Sequence, residues 1–131
     1  KVFYYNEGGK LMALYRTYGS SANISYAITH WVTWNGEGTV SIRGNGNVTS
    51  VTDYGTGYYG INFNQSMPDT NYCMFGNSVK GDSNNDGNQN LQMGGNDTSI
   101  EIYTGSCRCR TKVCSNNDSN DPLYAHAAFT R

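Results

Sequence analysis

The sequence predicts an all-β fold: an antiparallel β-sandwich, jelly-roll-like or Greek-key, built as a single compact domain over residues 1–131. Three observations carry this reading. Strand-like runs recur at short intervals between clusters of Gly, Asn, Asp and Ser. Tyr is very frequent, at 11 residues, and β-branched residues are common, as pleated surfaces favour. No segment has the apolar spacing of a useful helix, and nothing repeats at a fixed period.

Taken in order, residues 2–5 form the first expected strand and turn at Glu7-Gly8-Gly9-Lys10. Residues 11–18 follow, with Leu11, Ala13 and Tyr15 alternating with Met12, Leu14 and Arg16, so the pair reads as a hairpin. Residues 25–34 read as a long strand. One face carries Tyr26, Ile28, His30, Val32 and Trp34; the other carries Ala27, Thr29, Trp31 and Thr33. Asn35-Gly36-Glu37-Gly38 is a turn signal, and residues 39–43 resume the strand pattern. Gly44-Asn45-Gly46-Asn47 marks a further turn. Residues 48–54 and 58–63 flank Gly55-Thr56-Gly57, a hairpin with Gly where a positive φ is needed. A short strand at 71–75 precedes a polar stretch, 76–95, expected as a long surface loop. Residues 99–104 and 106–114 form another expected hairpin about Gly105. A second polar loop at 115–121 leads to a closing strand at 123–129.

Composition excludes several classes. A chain of 131 residues suits one core. Net charge is −1 and only 15% of residues are charged, which argues against a nucleic-acid partner held by bulk positive charge. The mean hydropathy of −0.63 comes from neutral polar residues rather than charge. No apolar run approaches the ~18 residues of a membrane span, so no membrane insertion is expected. No signal peptide is visible. The chain opens at Lys1, as a processed or excised piece of a longer one would.

Few motifs point to chemistry. Asp82-Ser83-Asn84-Asn85-Asp86-Gly87 matches the start of a calcium loop, with oxygen ligands at Asp82, Asn84 and Asp86. Met93 stands where the closing Glu of an EF-hand belongs, so at most a simpler calcium turn is expected, and no other cofactor. In 106–114, Cys107, Cys109, Thr111 and Val113 share one face, while Arg108, Arg110 and Lys112 share the other. Three cations in a row are a candidate site for an anionic glycan or phosphate groups; solvated charges that block edge-to-edge aggregation are the favoured reading. The cysteines, Cys73, Cys107, Cys109 and Cys114, lack paired zinc-knuckle spacing. Buried free thiols are favoured over a four-thiolate zinc site. No two carboxylates pair as glycoside hydrolysis needs, and there is no nucleophile elbow or phosphate loop. His30 and His126 read as hydrogen-bonded structural histidines, and no enzyme is expected.

Surface chemistry suits binding better. Tyr offers a flat apolar face with a hydroxyl, and Asn and Asp supply hydrogen bonds, a mixture matched to sugars.

Within 28–75 the sequence resembles a segment of tailed-bacteriophage structural proteins, notably from aquatic hosts. The likeness is carried by residues 30–43, from His30-Trp31-Val32 to Ser41-Ile42-Arg43. It continues in 48–63, around Asp53-Tyr54-Gly55-Thr56-Gly57, and in Met67-Pro68-Asp69-Thr70-Asn71-Tyr72. The ending Ala127-Ala128-Phe129 is similar to the family's closing strand. Residues 2–18 and 76–120 do not align with it. The resemblance implies a C-terminal β domain of a tail fibre or other virion appendage, made in the host cytoplasm and carried on the virion surface. It implies a homotrimeric receptor-binding tip that meets other virion proteins and attaches to a host surface glycan or receptor. It brings no catalytic residues. Recognition is expected in loops on a rigid scaffold: Lys80, Asp82, Asn84, Asn85, Asp86, Asn88, Gln89 and Asn90, helped by Asn117 and Asp118. The alternative is a capsid or tail decoration protein with a purely structural role. A glycan depolymerase has too few paired acids, and a secreted lectin-like protein would require the resemblance to be accidental.

Overall fold

The computed structural model describes residues 27–81, 88–95, 101–114 and 117–131. The expected strands at 2–5 and 11–18 lie outside the described residues. Eight strands are formed: β1 (Ile28–Asn35), β2 (Ser41–Gly46), β3 (Val48–Asp53), β4 (Tyr58–Phe63), β5 (Cys73–Val79), β6 (Asn88–Met93), β7 (Ser106–Val113) and β8 (Tyr124–Thr130). They pair antiparallel in one sheet of order β2-β1-β8-β5-β6-β7-β4-β3. The all-β antiparallel reading holds. A division into two separate sheets is not seen, because every neighbour in this order is hydrogen bonded and the sheet curls nearly into a barrel.

The two ends of the sheet, β2 and β3, meet at a seam. A single residue, Asn47, separates them with φ 56°, a left-handed conformation that Asn tolerates better than most residues. The expected turn over 44–47 is thus reduced to its last residue, and Gly44, Asn45 and Gly46 extend β2. A side-chain amide spans the seam: Asn45 Nδ2 of β2 donates to the Val48 carbonyl of β3 at 2.5 Å. Asn47 is itself held from both sides, its Nδ2 donating to the Thr29 carbonyl at 2.7 Å and its carbonyl accepting from the Asn64 backbone amide at 2.8 Å.

Period-2 alternation fills the interior. Val32 and Trp34 of β1, Tyr59, Ile61 and Phe63 of β4, Cys107 and Cys109 of β7, and Ala125, Ala127 and Phe129 of β8 point inward. Small alanines on β8 beside bulky Trp34 suit the tapered interior of a small barrel. Phe63, Tyr72 and Phe129 pack edge to face with centroids 5.0–5.9 Å apart. A register shift between Ile28 and His30 breaks the expected face, so His30 is buried while Ile28 is exposed. His30 Nε2–H donates to the Gln65 carbonyl at 2.7 Å, the structural role expected of it.

The long loop expected over 76–95 is corrected. β5 runs on to Val79 and β6 begins at Asn88, so part of the stretch is sheet. Its ladders to β8 and β7 satisfy the backbone, which lets an Asn- and Gln-rich sequence serve as strand.

One polar knot ties the turns to the core. The Tyr59 hydroxyl, inside the barrel, donates to Asp121 Oδ1 at 2.7 Å, and the Gly57 amide donates to the same oxygen at 2.8 Å. The Gly36 amide donates to the Pro122 carbonyl at 2.7 Å. A Cβ on Gly36 would lie 2.4 Å from the Tyr59 hydroxyl oxygen and 2.5 Å from Pro122 Cδ, so the close approach requires Gly.

Tyr59→Phe leaves the Asp121 carboxylate to the Gly57 amide. We expect a loss of ~0.5–1.5 kcal/mol in urea unfolding, the net worth of one hydrogen bond at a half-buried acceptor; an unchanged midpoint would refute the knot. Burial, reinforced by Asp121, also holds the Tyr59 hydroxyl well above the ordinary phenol range. Burial and the Glu101 carboxylate push Tyr58 up to about 12 from 10.0. Folded values above unfolded ones give stability that is complete below about pH 10 and lost as pH rises toward 12. Unfolding measured across that range, with phenolate absorbance followed, should show this fall, and equal stability at both ends would contradict it.

Candidate functional site

The residues singled out from the sequence fall in different places. Asp82, Asn84, Asn85 and Asp86, and with them the calcium turn, lie outside the described residues. Lys80 sits one residue beyond β5. Asn88 opens β6, paired with Val79. Gln89 is corrected as a surface residue: it is only 6% exposed and faces the interior opposite Ser78. The period-2 geometry that turns Leu91 inward turns Gln89 inward as well. Asn90 is exposed and pairs with Lys112. Lys112 also bridges to Ser119, beside Asn117 and Asp118. Asn117 has φ 62° and donates its amide to the Val113 carbonyl at 2.9 Å, while the Asp118 carbonyl accepts from the Val113 amide at 2.8 Å. The fold therefore brings Asn90, Lys112, Asn117 and Asp118 to one end of β7.

Arg108, Arg110 and Lys112 face away from the interior, as their alternation with the inward cysteines requires. The arginines lie on tyrosine rings. The Arg108 guanidinium is 3.5 Å from the Tyr54 ring centroid, and that of Arg110 is 5.0 Å from Tyr58. Gly60, paired with Arg108, makes the first contact possible: a Cβ there would come within 2.7 Å of Arg108 Nη1 and 2.8 Å of the Tyr54 ring. Such contacts stabilise by about 0.5–2 kcal/mol each and hold the planar cations flat against the sheet.

A second outer surface lies across β1, β8 and β5. Trp31, Ala128 and Phe75 stand in one cross-strand row, since Ala128 is the register partner of both aromatics. Trp31 is 44% exposed and Phe75 is 61% exposed. The next outward row is polar: Thr33, His126 and Asn77 are likewise register partners. Thr33 Oγ1 and His126 Nδ1 are 3.0 Å apart, which fixes the imidazole, and the Tyr124 ring stacks on it at 6.2 Å. Together these rows line a shallow, open groove of about 540 Å³. Two glycines of β2 seat the indole. A Cβ on Gly46 would lie 2.4 Å from Trp31 Nε1, and one on Gly44 would lie 3.4 Å from the far end of the ring. One further device shapes this face: Arg43 is the extra residue of a bulge in β2 and places its guanidinium 4.1 Å from the Tyr124 centroid.

The groove was not singled out from the sequence. Its one local signal is Trp31 on the strand face opposite Val32 and Trp34, where a large apolar ring is out of pattern. Phe75 and Ala128 reach it only through long-range pairing.

The four cysteines do not gather. Cys107 and Cys109 are buried side by side in the core, and Cys73 and Cys114 are exposed. Among the described residues no group of three or more His, Cys, Asp or Glu side chains converges on one point. Burial pushes the Cys107 thiol up to about 11 and that of Cys109 well above its usual range. A thiol-reactive dye should therefore label Cys73 and Cys114 in the native chain and reach Cys107 and Cys109 only on unfolding. Fast native labelling of all four would contradict the core placement.

No protein-family model matches this chain, and neither the curated proteins nor the solved structures hold a match to it.

Proposed function

We propose that this chain is a virion attachment domain, the receptor-binding tip of a tail fibre or similar appendage, which holds the particle to a glycan on the host surface. The observation that carries the reading is the outer face of β1, β8 and β5. There, exposed aromatic rings lie beside hydrogen-bonding side chains on a rigid sheet. Solvated sheet faces are normally polar throughout, and exposed aromatic bands mark contact surfaces. The resemblance of residues 28–75 to phage structural proteins supports the same reading. So does the spatial order β8-β5-β6-β7, the order of a Greek key, which fits a jelly-roll-like member of that group.

In this reading three copies assemble, and several weak sites act together by avidity. The domain binds rather than cleaves; the geometry offers aromatic platforms and amides and pairs no two carboxylates in the groove. Light scattering should give a mass near three times the 14.4 kDa of the chain. The labelled chain should bind a subset of an array of bacterial capsular and O-antigen polysaccharides. A monomer that binds none of them would overturn the proposal and leave a decoration role in its place.

A further inference from the structure

Resting on the attachment reading, we infer that the groove across β1, β8 and β5 is the ligand site itself, and that its ligand is a neutral glycan. Three features of the lining select that chemistry. First, the floor and walls differ. Ala128 leaves low ground between Trp31 and Phe75, whose backbones stand two strand spacings apart, about 9–10 Å. The indole leans over β2, away from Phe75, so the low ground at Ala128 stays open and leaves room for a pyranose to lie beside an aromatic ring. Second, the polar groups sit beside the rings rather than around a rim. Thr33, His126 and Asn77 form the adjacent row and offer donors and acceptors to ring hydroxyls. A pyranose has this same division, with apolar C–H faces and an equator of hydroxyls. Third, among the described residues no Asp, Glu, Lys or Arg lines the groove. An anionic polysaccharide would find no cation in the lining itself: Arg108 and Arg110 lie on the β7 face, and Arg43, at the margin of this face, lies on the Tyr124 ring.

The seating of Trp31 adds weight. An indole on an exposed strand face ordinarily samples several rotamers. Here Gly44 and Gly46 remove the side chains that would occupy its place on β2, so the ring lies along the neighbouring strand. A ring held this way presents a prepared surface, which lowers the ordering cost of binding. A second copy of the chain is the competing occupant, since Ile28 and the two rings make much of the lining apolar; the row of Thr33, His126 and Asn77 is what favours a sugar over it.

The test uses the full chain and defined probes: maltohexaose, cellohexaose, chitotetraose and mannohexaose, with hexagalacturonic acid as the anionic counterpart. Ligand-observed NMR reports binding for every variant. At least one neutral probe should bind saturably, more tightly than hexagalacturonic acid. Trp31→Ala and Phe75→Ala should each weaken it at least tenfold, and Trp31→Phe should restore most of it. Both residues are exposed, so the melting temperature serves as the control for folding. Binding of the anionic probe alone, or no binding of any neutral probe, overturns the inference, as does neutral binding that survives the paired Trp31→Ala, Phe75→Ala change. Array binding that persists in that paired variant would leave the attachment reading standing and this site wrong; loss of all array binding in the unaltered chain would remove both. A paired variant that merely turns an oligomer into a monomer, with no sugar bound beforehand, would assign the groove to subunit contact.

Discussion

The carboxylate of Asp121 is the fixed point of the barrel. It receives the Tyr59 hydroxyl from within the core and the Gly57 amide from the start of β4. Pro122, next in sequence, receives the Gly36 amide from the turn after β1. Two turns, the one after β1 and the one before β4, and the core end of Tyr59 are thereby pinned to one short segment that leads into β8. β8 in turn lies between β1 and β5, so the strand that carries the centre of the groove is positioned by this knot. A half-buried carboxylate oxygen is costly unless it is supplied with donors, and here the donors come from the turns it fixes.

Tyrosine serves two purposes in this arrangement. Inside, Tyr59 and Tyr72 fill volume and spend their hydroxyls on Asp121 and on the Tyr103 carbonyl. Outside, Tyr54, Tyr58 and Tyr124 lie against Arg108, Arg110 and Arg43. A chain with only 15% charged residues thus lays three of its cations on tyrosine rings. Among the described residues, these five tyrosines therefore serve the structure. The rings left to solvent in the groove are a Trp and a Phe.

Legibility in the sequence followed the range of the forces involved. β4 was read to its ends because Gly55-Thr56-Gly57 sets its start by local turn geometry. β7 was legible as two faces because Cys107 and Cys109 alternate strictly with Arg108 and Arg110. β6 was missed because Asn, Gln and Met carry little strand propensity of their own; pairing with β7 supplies what composition lacks. Gln89 was misplaced on the surface for the same reason. Curling of the strands into one sheet was not legible, since strand order is a property of long-range pairing. The groove shared that fate: Trp31 marked one wall, but Ala128 and Phe75 become its neighbours only once β8 lies between β1 and β5.

The seam at Asn47 gives the barrel a hierarchy of opening. Among the described residues β2 has a strand ladder along one edge, to β1, and β3 along one edge, to β4. β8 has ladders on both sides. Fluctuations that expose backbone amides therefore begin by parting β2 from β3 and spread inward, reaching β8 last. Because Trp31 rests on Gly44 and Gly46 of β2, the indole rides on the first strand to loosen, whereas Ala128 and Phe75 stay with the most protected part of the sheet. One wall of the groove is compliant and the other rigid, so the width between the rings is set by breathing at the seam.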